Sequence, residues 1–216
     1  MLSRIDHVVI GVAGLERGIE AYRRIGFEVS QEGFAFNDDD HLQLAAADSD
    51  GLQSIALRSD DVRQVAGLPI VLTRGSAARR KGRHPNGVLR IDRVYIAVND
   101  VAAAAKEYSR ALGTPEPKME RGTVINADMA VFNFGPTGLT LAQPVGAGVA
   151  AEALARRGTG PFQVLFRTSS MDAAAGWMSS HGLPPPARGI RNTGEQAMLV
   201  PPDQACGVYI GFVGPA

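Results

Sequence analysis

The sequence predicts an α+β chain made of repeated βαβββ modules, and three observations lead there. The stretches IDHVVIGVAGLERGIEAYRRIGF (residues 5–27) and IDRVYIAVNDVAAAAKEYSRALG (residues 91–113) open alike, with the same Ile, Asp, Val, Ile, Val, Tyr and Arg at matching positions. Each passes from alternation of period two to apolar spacing of helical period and stops at a glycine, Gly26 or Gly113. That change of period marks a strand followed by a helix. Each is then followed by short β-rich runs split by turn residues. Self-similarity of this kind means one supersecondary unit used more than once.

The elements follow in order. Val8, Ile10 and Val12 alternate with His7, Val9 and Gly11, so residues 5–12 form a strand with one apolar face. Leu15, Ile19 and Tyr22 give the helix stripe, and Gly26 stands where a C-terminal glycine belongs. Residues 27–30, 33–36 and 41–44 then read as three strands, with Asn37 and Asp38 to Asp40 as turn residues. A weaker unit follows: a strand at 53–58, Ser59 as helix N-cap, and a short helix ending at Gly67. Its strand pattern dissolves between Arg74 and Gly87, so it reads as truncated. The next unit has a strand at 91–98, a helix capped by Asn99 or Asp100 and running to Leu112, and strands at 123–125, 130–134 and 139–142. Residues 146–160 read as a connector with a short Ala-rich helix at 151–156. The last unit has a strand at 162–168, a helix from Met171 to His181, and strands near Arg188, at 196–200 and at 208–213. Four units result, roughly 1–48, 49–89, 90–148 and 160–216. They group as an N-terminal half, 1–89, with a truncated second module, and a C-terminal half, 90–216.

Composition narrows the function. The 22 basic and 22 acidic residues balance, which excludes the clustered basic excess of a nucleic-acid binder. The basic run Arg79-Arg80-Lys81-Gly82-Arg83 reads as a solvated loop. One cysteine, Cys206, rules out a disulfide framework or a zinc cluster. No signal-like or membrane-spanning apolar run is present, so the expectation is a soluble, cytoplasmic protein. Nucleoside-phosphate loops, the GxSxG elbow and HExxH are absent. His41 reads as part of a hairpin turn, His84 as a loop residue, and His181 as a structural residue closing a helix.

The segments IDHVVIGV…LERGIEAYRRIGF, IDRVYIAVNDVAAAAKEYSRALG and GPFQVLFRTSSMDAAAGWMSSHG…MLVPPDQACGVYIGFV resemble the vicinal oxygen chelate superfamily. That group includes glyoxalase I, extradiol dioxygenases, methylmalonyl-CoA epimerase and bleomycin-resistance proteins. The resemblance implies modules paired into half-barrel sheets around a cup that takes a small-molecule ligand. It also implies a divalent metal (Fe, Mn, Zn or Ni) held by first- and last-strand residues. The first-strand positions are His7, Ser54, Arg93 and Gln163; the last-strand positions are Gln43, Thr140 and Gly211. A metal needs convergent neutral imidazole or oxygen donors. In the N-terminal half His7 and Gln43 are the metal candidates, with a hydrogen-bonded His7 lining the cup as the other reading. In the C-terminal half Arg93 is permanently charged and cannot ligate, and Gly211 has no side chain.

Alternation instead places Arg93, Tyr95, Gln163 and Arg167 on one face, and analogy adds Thr140 and Tyr209. These are the ligand-binding candidates: an arginine fork suits a carboxylate, phosphate or enolate oxygen. The competing reading pairs Arg93 with an acid such as Glu195. The polar run Arg188, Arg191, Asn192, Thr193 and Glu195 rims the pocket or forms a solvated loop. Two function classes remain. One is an enzyme of lyase, isomerase or dioxygenase type acting on a carboxylated or oxygen-rich metabolite. The other is a sequestering protein of the bleomycin-resistance kind. A metal-dependent lyase or dioxygenase using His7 is a further alternative, catalytic residues are not assigned, and the assembly is either a homodimer, with units pairing between chains as the resemblance implies, or a monomer whose four units satisfy one another.

Overall fold

The computed structural model describes residues 1–75, 82–191 and 193–214. The start of the basic run, residues 79–81, and Asn192 lie outside the described residues. The chain has an α+β fold of βαβββ-like modules. No helix among the described residues is long and apolar enough to cross a membrane.

In the N-terminal half, β1 (Ile5–Val12) leads to α1 (Leu15–Ile25), then β2 (Phe34–Phe36), β3 (His41–Ala46), β4 (Gly51–Arg58), β5 (Arg63–Gln64) and β6 (Ile70–Thr73). They form one sheet in the order β2-β3-β1-β4-β6-β5. Val8, Ile10 and Val12 are fully buried, which puts them on the core side with Ile19, Tyr22 and Ile25 of α1. The helix ends at Gly26 with φ 100°. A Cβ there would meet Asn86 at 2.7 Å and Trp177 at 2.8 Å, so glycine satisfies both the left-handed turn and the close approach.

Two expectations fail in this half. Residues 27–30 join no ladder. Phe27 instead packs on Phe166 of the other half, 4.9 Å between rings, and the Glu28 N–H is taken by His84 Nδ1 at 2.9 Å. The helix expected after Ser59 is also missing. The Ser59 hydroxyl accepts from the Asp61 N–H in a turn, and β5 pairs with β6. Residues 60–66 carry two large apolar side chains, and Val62 is 57% exposed, so a helix there would have almost no face to bury.

The C-terminal half runs β7 (Val88–Ala97), α2 (Val101–Leu112), β8 (Lys118–Gly122), β9 (Ala127–Phe134), β10 (Thr137–Pro144), α3 (Val149–Arg157), β11 (Gly160–Thr168), α4 (Met171–Ser180), β12 (Ala187–Ile190), β13 (Gln196–Val200) and β14 (Tyr209–Gly214). Its eight strands make one half-barrel sheet, β12-β13-β14-β11-β7-β10-β9-β8. Asp100 and Ser170 cap α2 and α4 by accepting from the N–H three residues on. The strand expected at 123–125 lies earlier, at 118–122. Residues 123–126 are a turn that holds Asn126 at φ 49° and buries Ile125 against the sheet. Thr-Val-Ile has the composition of a strand, but the packing of Ile125 decides its conformation.

The halves share one core, which spans both sheets and α1, α2 and α4. Hydrogen bonds cross between them: Ile5 N–H to Thr137 Oγ1 at 2.7 Å, Tyr22 Oη–H to the Ala205 carbonyl at 3.2 Å, and Ile91 N–H to Asp40 Oδ1 at 3.0 Å. The first strands of neighbouring modules pair within the chain, β1 with β4 and β7 with β11, both antiparallel.

His84 belongs to this framework. Its Nδ1 accepts from Glu28, so Nε2 carries the proton and donates to Asn37 Oδ1 at 2.9 Å. The ring is neutral, and burial holds its pKa below the ordinary histidine value. The unfolded chain binds a proton near pH 6.5 while the folded one does not. Stability is therefore expected to fall as pH drops below about 6.5, by up to about 1.4 kcal/mol per unit. Urea titrations at pH 7.5 and 5.5 check this. His84→Gln should be less stable at both and should lose less on acidification; an unchanged pH dependence would count against the assignment.

Candidate ligand-binding cup

The concave face of the eight-stranded sheet is built by strand alternation and register. On β7, Val94 and Ile96 turn to the core while Arg93, Tyr95 and Ala97 turn to the cup. Gly138 and Thr140 of β10 stand opposite Arg93 and Tyr95. On the other side, Leu165 and Gln163 of β11 stand opposite the same two residues, and Gly211 and Tyr209 of β14 follow beyond them.

The connector helix α3 lies on this face. Ala150 and Ala153 pack with Tyr95, Phe162 and Tyr209 and fill one end of the cup. Tyr209 Oη–H donates to Glu152 Oε2 at 2.6 Å, and Arg156 sits 5.7 Å over the ring. Burial, helped by Glu152, pushes the Tyr209 phenol up to about 12. Tyr209, a ligand-binding candidate, thus lies at the filled end, where it anchors the helix.

A cavity of about 230 Å³ remains at the other end. Arg93, Tyr95, Thr140, Gln163 and Leu165 line its floor; Lys118 and Glu120 of β8 and Arg191 and Thr193 of the opposite hairpin also contribute to its wall. Arg93 Nη1 donates to Thr140 Oγ1 at 3.1 Å and Nη2 to Asn133 Oδ1 at 3.0 Å. Both partners are neutral, and among the described residues no carboxylate pairs with Arg93. The expected alternative partner, Glu195, is held by Arg167 at 2.7 Å and Arg191 at 3.1 Å, and these cations keep its pKa low. Gly138 makes the pose of Arg93 possible, because a Cβ there would fall 2.5 Å from Nη1.

Arg167 is not on the cavity wall. Its guanidinium is spent on Asp92, at 3.0 Å, and on Glu195. Its register with β14 runs unbroken from Gln163, so Arg167 keeps the parity of Gln163, and it is the two acids that take its guanidinium. Asn133 and Gly138 are site residues that the sequence reading passed over. Strand parity on β9, with Val131 and Asn133 against Phe132 and Phe134, carried the signal for the first.

In the N-terminal half, His7 meets His41 rather than Gln43: His7 and His41 are opposite in parallel register, and Gln43 pairs with Val9. Donor atoms of Asp6, His7 and His41 lie within 4.8 Å of one another. His7 Nδ1 bonds Asp6 Oδ2 at 2.8 Å, and Asp6 Oδ1 is paired with Arg58 at 2.8 Å. The two imidazoles are stacked, 4.5 Å apart with 23° between planes. Lone pairs in stacked rings project side by side, whereas a metal needs them to meet at one point. Arg58 also already neutralises the carboxylate. This arrangement does not fit the metal that the family resemblance implies, and the fixed cation at Arg93 does not fit it in the other half.

Comparison with known proteins supports the architecture. The family model described as the glyoxalase/bleomycin resistance protein/dioxygenase superfamily matches residues 92–199. Methylmalonyl-CoA epimerase from Mycobacterium tuberculosis is 26% identical, with a TM-score of 0.54 over 60% of this chain and 90% of that one. A single-site variant of Streptomyces coelicolor methylmalonyl-CoA epimerase, solved with 2-nitronate-propionyl-CoA, is 25% identical with a TM-score of 0.51, over 60% and 99%. A methylmalonyl-CoA epimerase in complex with methylmalonyl-CoA and NH4+ is 25% identical with a TM-score of 0.51, over 60% and 96%. No curated protein matches the chain.

Proposed function

The chain belongs to the glyoxalase/bleomycin resistance/dioxygenase superfamily, and on that footing we propose that its C-terminal cup binds a small carboxylate-bearing metabolite through Arg93, without a metal. One observation carries this reading: the Arg93 guanidinium is oriented by two neutral oxygens at the cavity floor and has no carboxylate partner among the described residues. A cation fixed in this way is ready to take a carboxylate, with little further loss of side-chain freedom. One of the similar structures holds methylmalonyl-CoA, itself a carboxylated ligand, which is in keeping with that chemistry. Glu120, the carboxylate on the cavity wall, is paired with Lys118 at 2.8 Å. Among the described residues the wall thus offers no unpaired carboxylate or imidazole as a base, and binding is favoured over proton abstraction.

A thermal-shift panel tests the proposal, with each acid set beside its amide and its methyl ester, and with chelator added throughout. A carboxylate at about 100 times its Kd should add about 2.7 kcal/mol of stability, or roughly 5–10 °C. Neutral analogues should add little. Equal stabilisation by amides and acids would refute the Arg93 reading, and stabilisation that the chelator abolishes would refute its metal-free form.

A further inference from the structure

Gln163 stands beside Tyr95 at the floor of the same cavity and is 5% exposed. Its Oε1 is buried and makes no hydrogen bond. Native interiors rarely leave such an acceptor unmet, and Gln163 is one of the residues that line the cavity. Space is provided for the amide: Gly211, on the strand next to it, has no side chain, and a Cβ there would lie 3.1 Å from Gln163 Nε2 and 2.6 Å from Leu165 Cδ1. The neighbours do not supply the donor. Arg93 spends Nη1 on Thr140 and Nη2 on Asn133, and its remaining N–H groups are those the ligand carboxylate would take.

We infer that the ligand is a hydroxy acid, with its carboxylate on Arg93 and its hydroxyl donating to Gln163 Oε1. This inference rests on the carboxylate reading and adds to it. An arginine provides donors only, so it recognises the acid but is blind to the hydroxyl; an amide oxygen completes the recognition. Discrimination follows because a ligand lacking the hydroxyl leaves the buried acceptor unmet, and a site built around a hydrogen bond rejects analogues that cannot make it.

The test is calorimetric titration with butyrate, 2-hydroxybutyrate and 3-hydroxybutyrate. The wild type should bind one of the hydroxy acids at least about tenfold more tightly than butyrate. Gln163→Met, which keeps the side-chain length, should bind all three with the affinity the wild type has for butyrate. Equal affinities in the wild type overturn the inference and leave the carboxylate reading standing. A hydroxy-acid preference that survives in Gln163→Met overturns the assignment to Gln163. Binding of none of the three acids overturns the carboxylate reading, and the inference falls with it. Circular dichroism melting of Gln163→Met guards against misfolding; if that variant melts early, Gln163→Leu is titrated in its place against the same criteria.

Discussion

Arg93→Met is expected to weaken carboxylate binding by about 100-fold while lowering the melting temperature by only a few degrees. A hydrogen bond to a charged group contributes about 1.5–3 kcal/mol, and about 1.4 kcal/mol is a factor of ten. The lost fork therefore costs about two orders of magnitude. The loss of stability should be modest because methionine keeps the apolar stem, while Thr140 and Asn133 each lose one hydrogen bond to the guanidinium. Gly138→Ala separates charge from position. Its added Cβ would stand 2.5 Å from Arg93 Nη1, at the far end of a flexible side chain, so the guanidinium should move while the charge remains. Calorimetry on both variants should show weakened binding. If Arg93→Met binds acids as the wild type does, another group recognises the carboxylate.

Asp40→Ala is expected to destabilise the protein by about 3–5 kcal/mol, roughly 10 °C in melting temperature. Asp40 is fully buried. It accepts from the Ile91 N–H at 3.0 Å, from Asn37 Nδ2 and from Arg4 Nη2 at 3.3 Å, so one carboxylate ties the β2–β3 turn, the start of β1 and the start of β7 together. Truncation takes that acceptor from the Ile91 N–H and the Asn37 amide and leaves Arg4 with Asp39 alone among the described residues, at 2.9 Å. Asp40→Asn, which keeps the shape without the charge, should fall between. Chemical denaturation of the three proteins checks the order; a loss under about 1 kcal/mol for Asp40→Ala would show that the junction is held elsewhere.

Several parts of this molecule were legible in its residues because the forces that place them are local. The repeated opening and the shift of period from two to 3.6 announced β1–α1 and β7–α2, and strand parity put Arg93, Tyr95 and Gln163 on one face. The family resemblance, not local pattern, supplied Thr140. Other parts rest on partners far away in the chain. Residues 27–30 look like a strand, yet Phe27 finds Phe166 and the segment leaves the sheet. Asp38 to Asp40 look like turn filler, yet Asp40 is a buried junction. His7 invites a metal, yet its neighbour is a stacked His41 and its acid is committed to Arg58.

By itself the sequence determined the modules, the fold they build, and a fixed cation where the family resemblance expects a metal ligand. The modules and the cation follow from periodicity and residue chemistry, which act over a few residues along the chain, and the fold the modules build follows from the family resemblance. Only the tertiary structure decided which of the inward-facing groups remain available. It spent Arg167 on Asp92 and Glu195, laid α3 across Tyr209, and left Arg93 with neutral partners beside the unmet oxygen of Gln163. Availability is settled by which charges and donors meet across distant segments, and no local pattern carries that.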